Sequence, residues 1–210
     1  MCVIVSAACR ALMRRAPRTV VPIRMDDADA ATFFTGRWFV QWQTETRYLK
    51  SDYNVRVEAT YTQQAPSWFG YTVGVRNVAR SVTGEVKDSS AGWGGCAPLG
   101  AQRQPGGGGL AKFLVAPQFV PRCFAGEYWI IARERCGDEE LAVVCGGQPT
   151  IEARDGLYTY DTDATNNSGL WIFTRSQAPS NVDAIYERAM EVVRRNGISA
   201  LGLSRVDQAP

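Results

Sequence analysis

From Gly36 onward, short runs of alternating apolar and polar positions are separated by turn residues. In "GRWFVQW" (36–42), Trp38, Val40 and Trp42 share one face of an extended chain, and Arg37, Phe39 and Gln41 share the other. Val57, Ala59 and Tyr61 alternate with Arg56, Glu58 and Thr60, and Tyr71, Val73 and Val75 repeat the pattern. "GEVKDSSAGWG" (84–94) reads as a weaker, more polar strand. "PLGAQRQPGGGG" reads as a flexible loop, because four consecutive glycines hold no regular structure. "AKFLVA" (111–116) restarts the sheet and "APQFVPRCFAG" is a proline-bounded loop. "GEYWIIARE" and "ELAVVCGG" make a hairpin around Cys136-Gly137-Asp138, and "GLWIFTR" (169–175) is a last apolar strand. Eight short strands at regular spacing predict an all-β sandwich or an antiparallel up-and-down barrel.

One segment breaks the period. In "PSNVDAIYERAMEVVRRNG", Val182, Ile185, Ala189 and Val192 recur at helical spacing. Ser180 or Asn181 caps the start, Arg194 and Arg195 complement the end, and Gly197 stops it. This predicts one α-helix over 181–196, lying with its single apolar stripe against the sheet. A short strand over 201–208 follows.

Composition divides the chain. Residues 1–25 contain five arginines (Arg10, Arg14, Arg15, Arg18, Arg24) and no acid, which predicts a disordered organelle-targeting leader before a domain over 26–210. Without those arginines, 18 basic residues face 21 acids and the net charge moves from +2 to about −3, so nucleic acid loses its electrostatic case as a partner. No run approaches the roughly 18 apolar residues of a membrane-spanning helix. There is no histidine, which excludes Ser-His-Asp and Cys-His catalysis. Cys96, Cys123, Cys136 and Cys145 contain no C-x-x-C pair, so no metal site is expected; they are two disulfides or four buried thiols. No cofactor is implied.

Three motifs in order bear on kinship: Gly36-Arg37-Trp38 on the first strand, "LAVVCG" (141–146) on the seventh, and "GLWIFTR" with Arg175 on the eighth. With eight strands, then one helix, then a short strand, the chain resembles the lipocalin family over about residues 33–208. The likeness is nearest to the branch of apolipoprotein D and the bacterial outer-membrane lipocalins. The leader, and the long segment 147–167 between strands seven and eight, look like the plastid lipocalins of algae and plants. The turn "RCGDEE" departs from the Thr-Asp-Tyr-like stretch common in the family.

The resemblance implies an eight-stranded antiparallel barrel over 36–175 with the helix outside. Trp38 plugs its closed end and Arg175 packs across the indole, a structural pair with Gly36. Such a barrel has an interior just wide enough for one small ligand, and lipocalins are themselves the reference case for that property. Strand alternation then offers Val40, Trp42, Val57, Tyr61, Tyr71, Val73, Val75, Phe113, Val115, Tyr128 and Ile130 as the lining. An apolar wall with phenol hydroxyls suits a fatty acid, lysolipid, sterol or carotenoid, carried or sequestered, with protection of membrane lipids under stress as a role. No enzyme activity is expected. The alternatives are a violaxanthin de-epoxidase-like carotenoid enzyme, and an interaction protein using the 147–167 insertion.

On the alternating run of the strands, Cys96 and Cys136 fall at the closed end, and Cys123 and Cys145 fall near the mouth, which pairs Cys96–Cys136 and Cys123–Cys145 if bridges form. The same reasoning makes 147–167 a lid, with Pro149, Ile151, Leu157, Tyr158 and Tyr160 packing over the opening. The leader places the protein in a plastid, or alternatively a mitochondrion or the secretory route. In the secretory route Asn166-Asn167-Ser168 would be a glycosylation sequon. Association with a membrane surface is compatible with this reading; the oligomeric state is left open.

Overall fold

The computed structural model describes residues 19–91 and 98–209. The chain opens with a seven-residue helix α1 (Asp27–Phe33), absent from the sequence reading. Asp26 caps it by accepting the Asp29 N–H at 2.7 Å. Strands β1 (Gly36–Thr44), β2 (Val55–Gln63), β3 (Val73–Arg80), β4 (Val86–Asp88), β5 (Leu99–Arg103), β6 (Lys112–Pro117), β7 (Gly126–Cys136) and β8 (Glu139–Cys145) follow. A small hairpin, β9 (Ile151–Glu152) and β10 (Tyr158–Thr159), precedes β11 (Leu170–Thr174), helix α2 (Val182–Arg195) and β12 (Leu203–Arg205).

Antiparallel pairing runs β1-β2-β3-β5-β6-β7-β8-β11, and β11 pairs back onto β1, with Phe39 opposite Thr174 and Val40 opposite Phe173. The eight strands therefore close into a barrel. Loops 45–54, 81–85, 118–125 and 146–169 share one end, the mouth. Helix α1 and the β7–β8 turn lie at the other.

Two strand assignments change. Of 84–94, only Val86–Asp88 is extended, and it pairs with the mouth end of β3. The full wall strand is β5, inside the stretch read as a glycine loop. It pairs with β3 (Val73 opposite Ala101) and with β6 (Ala101 opposite Val115). Leu99 and Ala101 face the interior, so Gly100 faces out, where a Cβ would come within 2.7 Å of Tyr71 Cβ. Its glycine makes room for a side chain that covers the sheet; it does not mark a loop.

Residues 19–25, assigned to the leader, belong to the folded body. Ile23 inserts between β6 and β7, its N–H on the Ile130 carbonyl at 3.0 Å and its carbonyl accepting from Ala111 at 2.8 Å. Val20 and Met25 are buried. Backbone hydrogen bonding and apolar burial outweigh the composition that suggested a leader here. Residues 1–18 lie outside the described residues.

Two cores result. One lies inside the barrel, and the other lies between its outer face and α2, where Ile185, Ala189, Met190, Val192 and Val193 pack on Trp129, Ile131, Leu141 and Val143. Among the described residues no helix is long and apolar enough to cross a membrane.

Candidate ligand site in the barrel

At the closed end Trp38 is fully buried and donates its indole N–H to the Phe33 carbonyl at 2.9 Å. The Arg175 guanidinium carbon lies 3.8 Å from the centre of the indole ring. Its nitrogens donate to the carbonyls of Thr35, Arg37 and Thr32 at 2.9, 3.1 and 3.0 Å. A planar fork that is always charged suits both tasks, ring contact and carbonyl recognition. Gly36 adopts φ +79°, a left-handed backbone that favours a residue without a Cβ at this corner. Glu140, overlooked in the sequence, holds the cluster from outside by pairing with Arg133 at 2.6 Å and Arg175 at 3.0 Å.

Above the plug, aromatic rings fill the lower lumen. Phe34, just past α1, meets Phe113 at 4.5 Å and Tyr61 at 5.1 Å, both edge-on. Phe33 lies 5.0 Å from Trp38, and Phe173 6.3 Å. Edge-to-face contacts at these spacings are favourable packing for rings of this kind. The next level is the Tyr61–Tyr128 pair, hydroxyl to hydroxyl at 2.8 Å. Burial pushes the Tyr61 phenol up to about 12 and also raises Tyr128 well above its ordinary value, so both stay neutral. Towards the mouth the lining is only half-buried: Leu99, Val115, Tyr128 and Trp171, with Trp171 stacked on Tyr128 at 6.5 Å and 22°.

The structure brings Val40, Val57, Tyr61, Val73, Val75, Phe113, Val115, Tyr128 and Ile130 together inside the barrel. Two members of the expected lining lie elsewhere. Trp42 is outside, 5.1 Å from Tyr186 of α2, because a bulge between Val40 and Trp42 inserts one residue and reverses the facing of all that follows. Tyr71 is fully buried but covers Gly100 on the outer face, its hydroxyl on the Val120 carbonyl at 2.9 Å. Phe33, Phe34, Trp171 and Phe173 were missed. Alternation in "GLWIFTR" carries the last two; the first two needed α1, for which Asp26 ahead of an alanine run was the only signal.

Cys123, Cys136 and Cys145 are free thiols. The expected Cys123–Cys145 bridge is not formed: Cys123 is exposed in the β6–β7 loop, whereas Cys145 faces outward beneath α2, its thiol pushed up to about 12 by burial. Cys96, and with it the Cys96–Cys136 pair, lies outside the described residues.

The 147–167 insertion splits in two. Its first part is no lid: Tyr158 bonds the Gly197 carbonyl at 3.0 Å, and Tyr160 joins the core under α2, its hydroxyl on the Gly147 carbonyl at 2.9 Å. Tyr160 is buried there, whereas Ile151 stays exposed. Its second part runs along the rim. Asp163 pairs with Lys50 at 3.1 Å, Thr165 accepts from Tyr48 at 2.8 Å, and Asn166 donates to the Phe124 carbonyl at 2.8 Å. A cavity of about 230 Å³, lined by Thr44, Glu45, Tyr160, Leu201 and Ser204 among others, lies outside the barrel against this insertion.

No protein-family model matches the sequence, and a search of curated proteins returns no match. The fold does have solved counterparts. Lobster apocrustacyanin A1 superimposes with a TM-score of 0.50 at 13% identity, over 93% of this chain and 94% of that one. H1 crustacyanin from the lobster Homarus americanus gives 0.51 at 12% identity, over 93% of each chain. Insecticyanin from the tobacco hornworm Manduca sexta gives 0.51 at 14% identity, over 90% of this chain and 84% of that one. At such identities the likeness speaks for architecture. A closed eight-stranded antiparallel barrel, plugged at one end and carrying one C-terminal helix outside, gives this chain the lipocalin fold.

Proposed function

We propose that the protein binds one small hydrophobic ligand in the mouth-facing half of its barrel and carries or sequesters it. One observation carries this reading: the inward-facing wall is predominantly apolar and aromatic, with Gln43 opposite Trp171 as a buried polar exception, and it grades from fully buried at the plug to half-buried at Leu99, Val115, Tyr128 and Trp171. The packed lower half limits how deep a ligand reaches. It admits one end of a sterol, carotenoid, lysolipid or fatty acid, and the remainder extends through the mouth. The carrier reading is favoured over a catalytic one because, among the described residues, the lining offers phenols, hydrocarbon and the Gln43 amide but no pair of carboxylates for acid–base work. The arginine-rich start of the chain makes an organelle, foremost a plastid, the compartment in which we propose it acts, as a relative of the plastid lipocalins exchanging ligand with membrane lipids. Titration with these apolar ligands should quench tryptophan fluorescence saturably at one equivalent. Trp171→Phe should remove most of that quench. Linear quenching with every ligand would overturn the reading.

A further inference from the structure

Tyr61 and Tyr128 belong to β2 and β7, which are four strands apart in either direction around an eight-strand circuit. They therefore stand on opposite walls, yet their hydroxyls are 2.8 Å apart. The two phenols meet across the lumen and make the floor of the mouth-facing half.

A count of protons follows. Each phenol carries one O–H. Whichever hydroxyl donates within the pair, the other has its own O–H left over. Among the described residues neither hydroxyl has another hydrogen-bond partner, and the surroundings are rings: Phe34 at 5.1 and 6.1 Å from the two, and Trp171 stacked on Tyr128. A buried donor without an acceptor is costly, and a ligand that supplies the acceptor removes that cost. Because burial keeps both phenols neutral, the spare group acts as a donor across the physiological range.

Charge narrows the acceptor further. Among the described residues, the side chains packed around the Tyr61–Tyr128 pair are apolar or aromatic, and the cation on the interior face, Lys87 opposite Ala79, stands exposed at the mouth over the Tyr53 ring at 3.7 Å. The two arginines nearest the lower lumen are committed elsewhere. Arg175 lies beyond Trp38, bound to backbone carbonyls and Glu140, and Arg103 flanks Phe113 while donating to the Met25 and Asp26 carbonyls. A carboxylate pushed to the floor would be buried without a counter-charge. A neutral carbonyl meets the same O–H without that penalty.

Resting on the reading of the barrel as the ligand site, we infer that its preferred ligands are neutral molecules that enter carbonyl-first and lodge that oxygen on the spare O–H of the Tyr61–Tyr128 pair. Anionic fatty acids are disfavoured in this orientation, and plain hydrocarbons forgo the hydrogen bond.

The test uses three probes of similar shape, 2-acetylnaphthalene, 2-isopropylnaphthalene and 2-naphthoate, measured by equilibrium dialysis against the full chain at neutral pH. The ketone should bind about tenfold tighter than the hydrocarbon, roughly what one neutral hydrogen bond contributes, and the carboxylate should bind weakest. Tyr61→Phe or Tyr128→Phe alone each leaves one phenol with a free O–H, so both single variants should keep the ketone preference. The double variant should bind the hydrocarbon as the parent does and lose the preference. Equal parental affinity for ketone and hydrocarbon, or a preference that persists in a folded double variant, overturns the inference and leaves the carrier reading standing. Failure of all three probes to bind the parent overturns both. Should the double variant not fold, the parental comparison decides alone.

Discussion

Trp38 is held from several directions, and each holder is a different kind of interaction. Its N–H is bonded to the Phe33 carbonyl, its face is covered by Arg175, and its edges meet Phe33 and Phe173. Trp38→Ala should therefore cost about 3–5 kcal/mol, measured by denaturant unfolding, because it removes a buried indole and leaves a cavity that the barrel cannot collapse into. An unchanged midpoint would contradict the packing described. Glu140 adds a pH signature. Burial alone would raise its carboxyl, but hydrogen bonds from Arg133 and Arg175 outweigh that and hold it below the ordinary 4.5. For an acid shifted downward, the stabilisation is complete above the ordinary value and disappears as pH falls through the folded one. Melting temperatures of the parent and Glu140→Gln should thus differ most near neutrality and converge as the pH drops below about 4.5. A gap independent of pH would show that the carboxylate's charge is not what matters.

Among the elements, α2 and the β9–β10 hairpin share one apolar layer on the outside of the barrel. Trp42 meets Tyr186 there, Tyr160 packs beside Met190 and Ile198, and Tyr158 forms a bridge to Ile198. Shortening 148–160 to a tight turn removes part of that layer, so melting temperature should fall while the rate of ligand release stays near the parental value. Tyr160→Ala and Trp42→Ala should behave likewise, each by about 3 kcal/mol, since both are buried in that layer. Stopped-flow release together with thermal melting separates the outcomes. Faster release at unchanged stability would return the hairpin to the role of a lid.

At the scale of the whole molecule, the last residues complete the wall. β1 pairs with β2 only from Gly36 to Phe39; towards the mouth β12 takes over along Trp42 to Thr44. The chain then runs on between the two strands. Val206 N–H bonds Gln41, Arg56 N–H bonds Asp207, and the Gln208 amide donates to the carbonyls of Val40 and Val57, both at 2.8 Å. One side chain thus bridges a seam that backbone pairing leaves open. Gln208→Ala should cost about 1–3 kcal/mol by leaving buried carbonyls without donors, and ending the chain after Gly202 should cost more and speed ligand release. Retained stability and release in the shortened chain would mean that the barrel closes without its tail.

The sequence by itself determined what depends on local period. Alternation at Trp38 and Val40, at Val57 to Tyr61, and at Tyr128 and Ile130 named residues that do face the lumen, because side chains on a strand change face at every step. The stripe at Ile185, Ala189 and Val192 named the face of α2 that packs. The same rule carried forward without interruption misplaced Trp42, since a single inserted residue in β1 reverses everything beyond it and leaves no mark in composition. Only the tertiary structure decided that Leu99–Arg103 is a strand, because Val73–Val75 of β3, more than twenty residues earlier, and β6, across the glycine-rich loop, satisfy its backbone on both sides despite Gly100. It also decided which apolar residues of the insertion face the helix, and that Tyr61 and Tyr128, 67 residues apart, meet hydroxyl to hydroxyl. Facing along one strand is a property of neighbouring residues. Distance across a closed barrel is set by strand count, stagger and register together, and no local stretch of the chain encodes it.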